Sequence, residues 1–154
     1  MTNEGKIALG VALVALGCGT AYILKMKRIS EELETVTTAM IHKVTLTGID
    51  IKINVTLKNP TGGSLKLKQP FVKFLHNNNV FASSDIKNKD ITLPKYGQVA
   101  IEPIFIHLGF VSLASFAPEI LKQYRSSGKF ELVVKTVTTI NNQVPYTKTD
   151  TIQI

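Results

Sequence analysis

Tryptophan is absent from this chain of 154 residues, and cysteine occurs once, at position 18. A lone Cys18 cannot form an intramolecular disulfide, so a disulfide-held fold is excluded and cysteine usage assigns no redox compartment. Acidic side chains are few, since 11 Asp and Glu stand against 18 Lys and Arg. The net charge of +7 is spread along the chain rather than clustered. The sequence therefore predicts no specific nucleic-acid site, although a basic surface favours anionic lipid or an acidic protein as partner.

Catalytic and ligand-binding motifs are also lacking. No serine stands in a Gly-x-Ser-x-Gly nucleophile elbow, and Gly62-Gly63-Ser64 lacks the length and the Lys-Ser/Thr ending of a phosphate-binding loop. His42, His76 and His107 have no second histidine or carboxylate at the spacing of metal ligands, which favours surface or strand-end positions for them. We therefore expect a protein that is not an enzyme and that has no cofactor and no metal site.

Residues Ile7–Leu24 form an apolar run without a charged side chain. As a helix with a rise of about 1.5 Å per residue, the run would be about 27 Å long, close to the thickness of the hydrocarbon core of a bilayer. We therefore predict a single transmembrane helix. Small residues recur on one face of this helix and would let a second helix approach closely, which favours a homo-oligomer; they are Ala8, Ala12, Ala15 and Gly19.

The flanks of the run predict its orientation. Lys6, offset by Glu4, precedes it, whereas Lys25, Lys27 and Arg28 follow it. By the positive-inside rule, the C-terminal domain is expected on the cytoplasmic side of the membrane.

Two alternatives to a retained transmembrane helix remain open. The run could be a cleaved secretory signal, although it is longer than the usual apolar region of about 7–15 residues. It could also be a lipoprotein signal, because Ala15-Leu16-Gly17-Cys18 resembles a lipobox in which Cys18 carries the lipid. Against this alternative, the chain stays apolar after Cys18 through Leu24.

After the basic flank, the periodicity changes from helical to extended. Ile29–Met40 has apolar residues three or four positions apart, which predicts a helical stalk. From Ile41 the period is two, and it is clearest in Ile49–Leu57. A slip in the alternation at Gly48 predicts a bulge or bend. Further strands are expected at Leu65–Leu75, Val80–Ser83, Asp90–Leu93, Gln98–Leu108, Lys129–Ile140 and Val144–Ile154.

One short helix is expected before the last hairpin. Apolar residues three to four positions apart predict it, with an irregularity at Pro118 and an end at Ser126-Ser127-Gly128. About seven short strands at regular spacing predict an all-β sandwich. The expected organisation is a transmembrane anchor with its basic flank over 1–28, a stalk over 29–40 and a sandwich domain over 41–154.

The segment Ile53–Thr61, a strand followed by Asn59-Pro60, resembles the signature of the late embryogenesis abundant type-2 family, also called the water-stress and hypersensitive response domain. The later order of elements is similar, as Val80–Ser83 follows a strand and a turn, and Leu93–Gly97 precedes a further strand. The resemblance covers 41–154. It implies a fibronectin-like or immunoglobulin-like β-sandwich of seven strands without a catalytic site, as found in desiccation-related proteins and in anchored or lipidated bacterial envelope proteins.

Polar positions of the predicted strands offer two structural features. Asn59 and Pro60 are expected to form a structural turn, since Asn caps turns and Pro ends a strand where no ladder donor is needed. Four lysines lie on the polar faces of the first two long strands, and they either protect edges and solubility or form a basic docking face for an acidic protein shell or anionic lipid; they are Lys52, Lys58, Lys66 and Lys68.

Two functions of different classes fit these features. The first is a structural tether whose helix holds a lipid bilayer and whose sandwich contacts a protein layer, for example a minor virion protein that links the internal membrane of a lipid-containing bacteriophage to its capsid. The second is a bacterial cell-envelope protein, lipidated or not, with a stress-protective or ligand-binding sandwich. We take the tether as the expected function.

Overall fold

The structure, a computed structural model, describes residues 31–154. Ten strands and two short helices follow one another in this part of the chain. They are β1 (Glu34–Val44), β2 (Gly48–Lys58), β3 (Leu65–Lys68), β4 (Phe71–His76), β5 (Asn79–Ser83), β6 (Asp90–Leu93), β7 (Gln98–Ala100), β8 (Ile104–Gly109), α1 (Phe110–Phe116), α2 (Pro118–Ser127), β9 (Glu131–Ile140) and β10 (Val144–Gln153). The prediction of an all-β domain is confirmed.

The strands form two antiparallel sheets. In the first sheet β2 is central, with β1 on one side and β7 and β8 along the other. In the second sheet β9 pairs with β10 on one side and with β3 and β4 on the other, and β6 and β5 lie outside β3 and β4. Three strands are interrupted, so that β3 continues as β4, β5 as β6, and β7 as β8. When each interrupted strand is counted once, the ten segments form seven strands.

Proline accounts for two of the interruptions. Gln69-Pro70 separates β3 from β4, and residues 101–103, which include Pro103, separate β7 from β8. A proline cannot donate a hydrogen bond to the strand ladder, so pairing stops beside it. The segments Leu65–Leu75 and Gln98–Leu108, each predicted as one strand, are therefore two strands each.

One hydrophobic core joins the inward faces of both sheets. β2 supplies its centre, because every second residue of this strand is buried, as the alternation in the sequence predicts. Each fully buried aliphatic or aromatic side chain stabilises the fold by about 1.5–3 kcal/mol relative to exposure. The core residues with essentially no exposure include Ile49, Ile51, Ile53 and Leu57 from the first sheet, and Val72, Phe74, Leu132, Val134 and Ile140 from the second.

The prediction of a helical stalk over 29–40 is wrong for residues 34–40, which lie in β1. The chain there alternates as a strand, but its first inward residues are Thr35 and Thr37, so the period of two is invisible in an apolar pattern. Thr35 can be buried because its hydroxyl and the hydroxyl of Tyr146 in β10 form a hydrogen bond at 2.8 Å. β-branched residues also favour the extended conformation over the helix.

The irregularity predicted at Gly48 is a hairpin turn over 45–47, and the bulge lies instead in β1, between Ile41 and Lys43. Gly48 begins β2 next to β8. A Cβ at this position would lie 2.2 Å from the carbonyl oxygen of Leu108, so only glycine fits here without a shift of the strands.

The single predicted helix is two helices, α1 and α2, joined at Ala117, which has φ −144° and ψ 59°. Pro118 causes the break, because the residue before a proline is disfavoured in the helical region. Pro118 itself begins α2, where its missing N–H removes no helical hydrogen bond. Gly128 ends α2 with a left-handed φ of 69°.

No helix within residues 31–154 is long and apolar enough to cross a membrane. The predicted membrane helix over Ile7–Leu24 lies outside the residues that the structure describes.

Candidate functional site

The described domain has two ends, which we call the proximal end, where the first strand begins, and the helical end, where the helices lie. At the proximal end β1 begins, and Glu34 pairs with Lys58 at the close of β2. At the helical end, Gly48 at the start of β2 pairs with Gly109, which leads directly into α1. β2 has 11 residues, so the two ends are about 35 Å apart at about 3.3 Å per residue.

Asn59 holds the turns of the proximal end together. Its side-chain Nδ2 donates to the carbonyl oxygens of Gly63 at 2.7 Å and Pro94 at 3.1 Å. Its Oδ1 accepts from the backbone N–H of Thr61 at 3.0 Å and from the hydroxyl of the same residue at 2.6 Å. The side chain is buried, and its hydrogen bonds join the turn after β2 to the turn after β6. Pro60, at the surface beside it, follows the strand without needing a ladder partner.

The four lysines of the predicted docking face belong to different sheets. Lys52 and Lys58 lie on the outer face of β2 in the first sheet. Lys66 and Lys68 lie in β3 of the second sheet, where their ammonium groups approach Asp90 at 3.3 and 2.7 Å. The structure thus brings the second pair together and does not join it to the first pair.

The ion pairs at Asp90 change its acidity. The nearby Lys68 ammonium, followed by that of Lys66, holds the pKa of the Asp90 carboxyl below its ordinary value of 3.8. Because the Asp90 carboxylate forms ion pairs with both lysines, it partly neutralises the positive charge of β3.

Each of two histidines contacts a carboxylate that is distant in the sequence. The Nδ1 atom of His107 lies 2.5 Å from an oxygen of Asp50 on the outer face of the first sheet. The Nε2 atom of His76 lies 2.8 Å from an oxygen of Glu119, which fastens α2 to the end of β4. His42 packs edge-on against an aromatic ring of β8 at 5.0 Å. Within residues 31–154 no three His, Cys, Asp or Glu side chains lie close enough together to hold a metal ion.

The two edge strands β1 and β10 meet through polar contacts. The hydroxyl of Tyr146 bonds to Thr35 and also donates to the carbonyl oxygen of Leu33 at 3.3 Å. The ammonium of Lys148 donates to the carbonyl oxygen of Thr35 and lies 3.5 Å from Asp150. Inward-pointing charges of this kind discourage an edge strand from pairing with another chain.

Three strongly exposed apolar side chains lie at the helical end, and others are distributed over the rest of the domain. Leu46, at the tip of the β1–β2 turn, is fully exposed, and Val111 and Phe116 of α1 are 82% and 65% exposed. The turn is fastened to α1, since the backbone N–H of Phe110 donates to the carbonyl oxygen of Thr47 at 2.8 Å. Exposed apolar groups that are close together are a common sign of an interaction surface.

An open groove of about 490 Å³ runs between α1 and α2, and we call it the helical groove. Leu121 is buried at its floor, while the cations Lys122 and Arg125 are exposed. Within residues 31–154 neither cation has an ion-pair partner, in contrast to Lys66 and Lys68. The complete lining is Ala114, Pro118, Leu121, Lys122, Arg125 and Ser126.

The helical groove was not predicted from the sequence. Lys122 and Arg125 are three positions apart on α2, and Ala114 and Pro118 precede them at helical spacing, but the break at Ala117 separates the two halves of this pattern. The spacing of Lys122 and Arg125 was the available signal, since residues three apart share one helix face.

The remaining predicted site residues lie outside the described residues. They are Ala8, Ala12, Ala15 and Gly19 for helix packing, and Lys25, Lys27 and Arg28 for the basic flank.

Comparisons with known proteins show what this fold is similar to. No family model matches the sequence, and none of the curated proteins does. A crystal structure of a protein from Archaeoglobus fulgidus has a TM-score of 0.50 and 15% identity, covering 79% of this chain and 95% of that chain. This likeness shows a shared fold.

Two solution structures are more distant. One is of a protein from Arabidopsis thaliana, with a TM-score of 0.47 and 13% identity over 78% of each chain. The other is of a protein described provisionally as late embryogenesis abundant, with a TM-score of 0.41 and 14% identity, covering 98% of this chain and 86% of that chain.

Proposed function

We propose that this protein is a non-catalytic membrane tether. A single transmembrane helix over Ile7–Leu24 anchors it, and the β-sandwich, of the immunoglobulin or fibronectin type that the late embryogenesis abundant type-2 resemblance implies, contacts a protein layer beside the membrane. The basic flank after the helix favours a domain on the cytoplasmic side. In a lipid-containing bacteriophage, where the internal membrane derives from the host, this side faces the capsid.

The observation that carries the proposal is the short distance in sequence between the apolar run and the folded domain. Leu33, whose side chain is buried and whose carbonyl accepts the Tyr146 hydroxyl, follows Leu24 by nine positions. Nine residues span at most about 30 Å when fully extended, and about 14 Å as a helix. A membrane-inserted run would therefore hold the proximal end next to the lipid and direct the helical end away from it.

Membrane extraction tests the anchor. We expect the full chain to stay in the membrane pellet after washing with alkaline carbonate, and a chain that lacks 1–28 to appear in the supernatant with its thermal unfolding unchanged. Release of the full chain by carbonate would refute the anchor. Purified virions that lack the protein would refute the capsid setting but not the anchor.

A second candidate function is the envelope protein with a ligand-binding sandwich. A cleft of about 230 Å³ between the two sheets favours it, since the buried polar Gln69 and the charged Asp85 and Lys87 line this cleft. Intact mass spectrometry separates the alternatives. Loss of the first 17 residues with a lipid mass on Cys18 would support the envelope lipoprotein, whereas an uncleaved chain would support the tether.

A further inference from the structure

We propose that the helical groove binds an acidic amphipathic segment of a protein in the layer that this chain contacts. The inference rests on the proposed tether function, because a tether needs a second contact away from its anchor. The groove lies at the end of the domain about 35 Å from the start of β1.

The lining of the groove defines the chemistry of the partner. Ala114 and Pro118 offer exposed apolar surface to an aliphatic or aromatic side chain, and Leu121 beneath them belongs to the hydrophobic core. Lys122 and Arg125 add two positive charges with no ion-pair partner in the described part of the chain. An acidic side chain next to an apolar one on the partner would complement both features. Helices that lay an apolar face into such a groove are a recurring mode of peptide recognition.

Val111 and Phe116 of α1 are exposed to solvent, but neither of them lines the groove. The only carboxylate of α2, Glu119, contacts His76 and is therefore engaged with β4. The groove is thus basic as well as apolar.

The position of the groove favours a protein segment over the lipid of the anchoring membrane. The groove lies at the helical end, about 35 Å from the proximal end that the proposed anchor holds next to the lipid. An anionic membrane would instead use Val111 and Phe116 as protruding groups. Binding of anionic vesicles distinguishes this alternative from a protein partner.

The experiment uses the full chain in lipid nanodiscs and fluorescence anisotropy of labelled synthetic peptides. The probe is an amphipathic helix of about 15 residues, or four turns, with Leu at i, i+3, i+4 and i+7 and Glu on both flanks. A peptide with Lys in place of Glu tests the charge, and a scrambled peptide tests the amphipathic pattern. Vesicles of phosphatidylcholine with and without phosphatidylserine test lipid binding.

We expect the acidic amphipathic peptide to bind and the lysine and scrambled peptides to bind at least tenfold more weakly. The double substitution Lys122→Glu with Arg125→Glu should weaken binding by about tenfold or more. Ala114→Gln, which adds volume to the groove without adding charge, should weaken it as well. The matched control, Lys95→Glu with Lys135→Glu, makes the same change in charge outside the groove lining and should leave binding unchanged.

Three results would overturn the inference: equal affinity for the acidic and lysine peptides, unchanged affinity after the double substitution in α2, or binding of phosphatidylserine vesicles without binding of any peptide. Failure of the anchor would give a different result, because the chain would then not co-elute with nanodiscs at all. Failure of the groove alone would leave co-elution intact and peptide binding absent.

Discussion

The substitution Asn59→Ala tests whether one buried amide holds the proximal end together. The side chain makes four hydrogen bonds, two as donor and two as acceptor, to residues of two separate turns. A typical protein hydrogen bond contributes about 0.5–1.5 kcal/mol net, so four would total about 4 kcal/mol. Gly63 and Pro94 are exposed and their carbonyls can rehydrate, which lowers the expected loss of unfolding free energy to about 2–4 kcal/mol.

The assay is thermal and urea unfolding of the full chain in detergent, with far-ultraviolet circular dichroism as the signal. For a domain of this size, the loss corresponds to a decrease in Tm of about 10 °C. The matched control is Asn88→Ala, because Asn88 is exposed and makes a single contact, to the Lys68 ammonium at 3.1 Å. We expect this control to change stability by less than about 0.5 kcal/mol.

The substitution Asn59→Asp tests the same hydrogen bonds through the pH dependence of stability. The variant keeps the acceptor oxygen but places a carboxylate oxygen where Nδ2 donated to two carbonyls, so the charged form is disfavoured in the folded state. The pKa of the new carboxyl should be higher in the folded than in the unfolded chain, and the destabilisation should therefore diminish as the pH falls through that raised pKa. If Asn59→Ala matches the control, or if the stability deficit of the Asn59→Asp variant does not depend on pH, the reasoning is wrong.

Three further predictions concern the core and the charged surface. Tyr146→Phe should lower the unfolding free energy by about 1–2 kcal/mol, since it leaves the buried hydroxyl of Thr35 unsatisfied, and the double variant with Thr35→Val should recover part of that loss in urea unfolding. Gly48→Ala should destabilise the domain or alter the β2–β8 pairing, because a Cβ would lie 2.2 Å from a backbone oxygen; amide exchange of β8 would report it. Asp90→Asn should remove the stabilisation from the ion pair with Lys68: the difference in Tm from the unaltered chain should be present above pH 3.8 and vanish as the pH falls below it, since the folded pKa is the lower one.

Much of the strand pattern could be read from the sequence. Ile49–Leu57 alternates strictly, and the structure places it as the central strand of the first sheet with its apolar residues in the core. The segment Asp90–Leu93 is a strand with the predicted bounds. The hairpin after Ile140 also forms as predicted, with Asn141 and Asn142 in the left-handed conformation that its turn requires. These features depend on neighbouring residues only, so the local pattern sufficed.

The charged surface could be predicted only in part. The sequence indicated which lysines lie on polar strand faces, but not that Lys66 and Lys68 share Asp90, which follows them by more than 20 positions. Nor could it show that Lys122 and Arg125 border a groove, because the groove exists only where two helices meet. Surface chemistry of this kind depends on long-range pairing.

The sequence by itself determined the apolar run, the all-β class and the turn at Asn59, because each depends on residue type and short-range order. Tertiary structure alone decided that β1 is a strand. Its buried Thr35 forms a hydrogen bond with a hydroxyl that lies 111 positions away in the sequence. It also decided which ends of the strands lie together and hence where the helical groove lies. The physical reason is that a polar residue can be buried only when a partner satisfies its hydrogen bonds, and the partner's position is set by the fold of the whole chain.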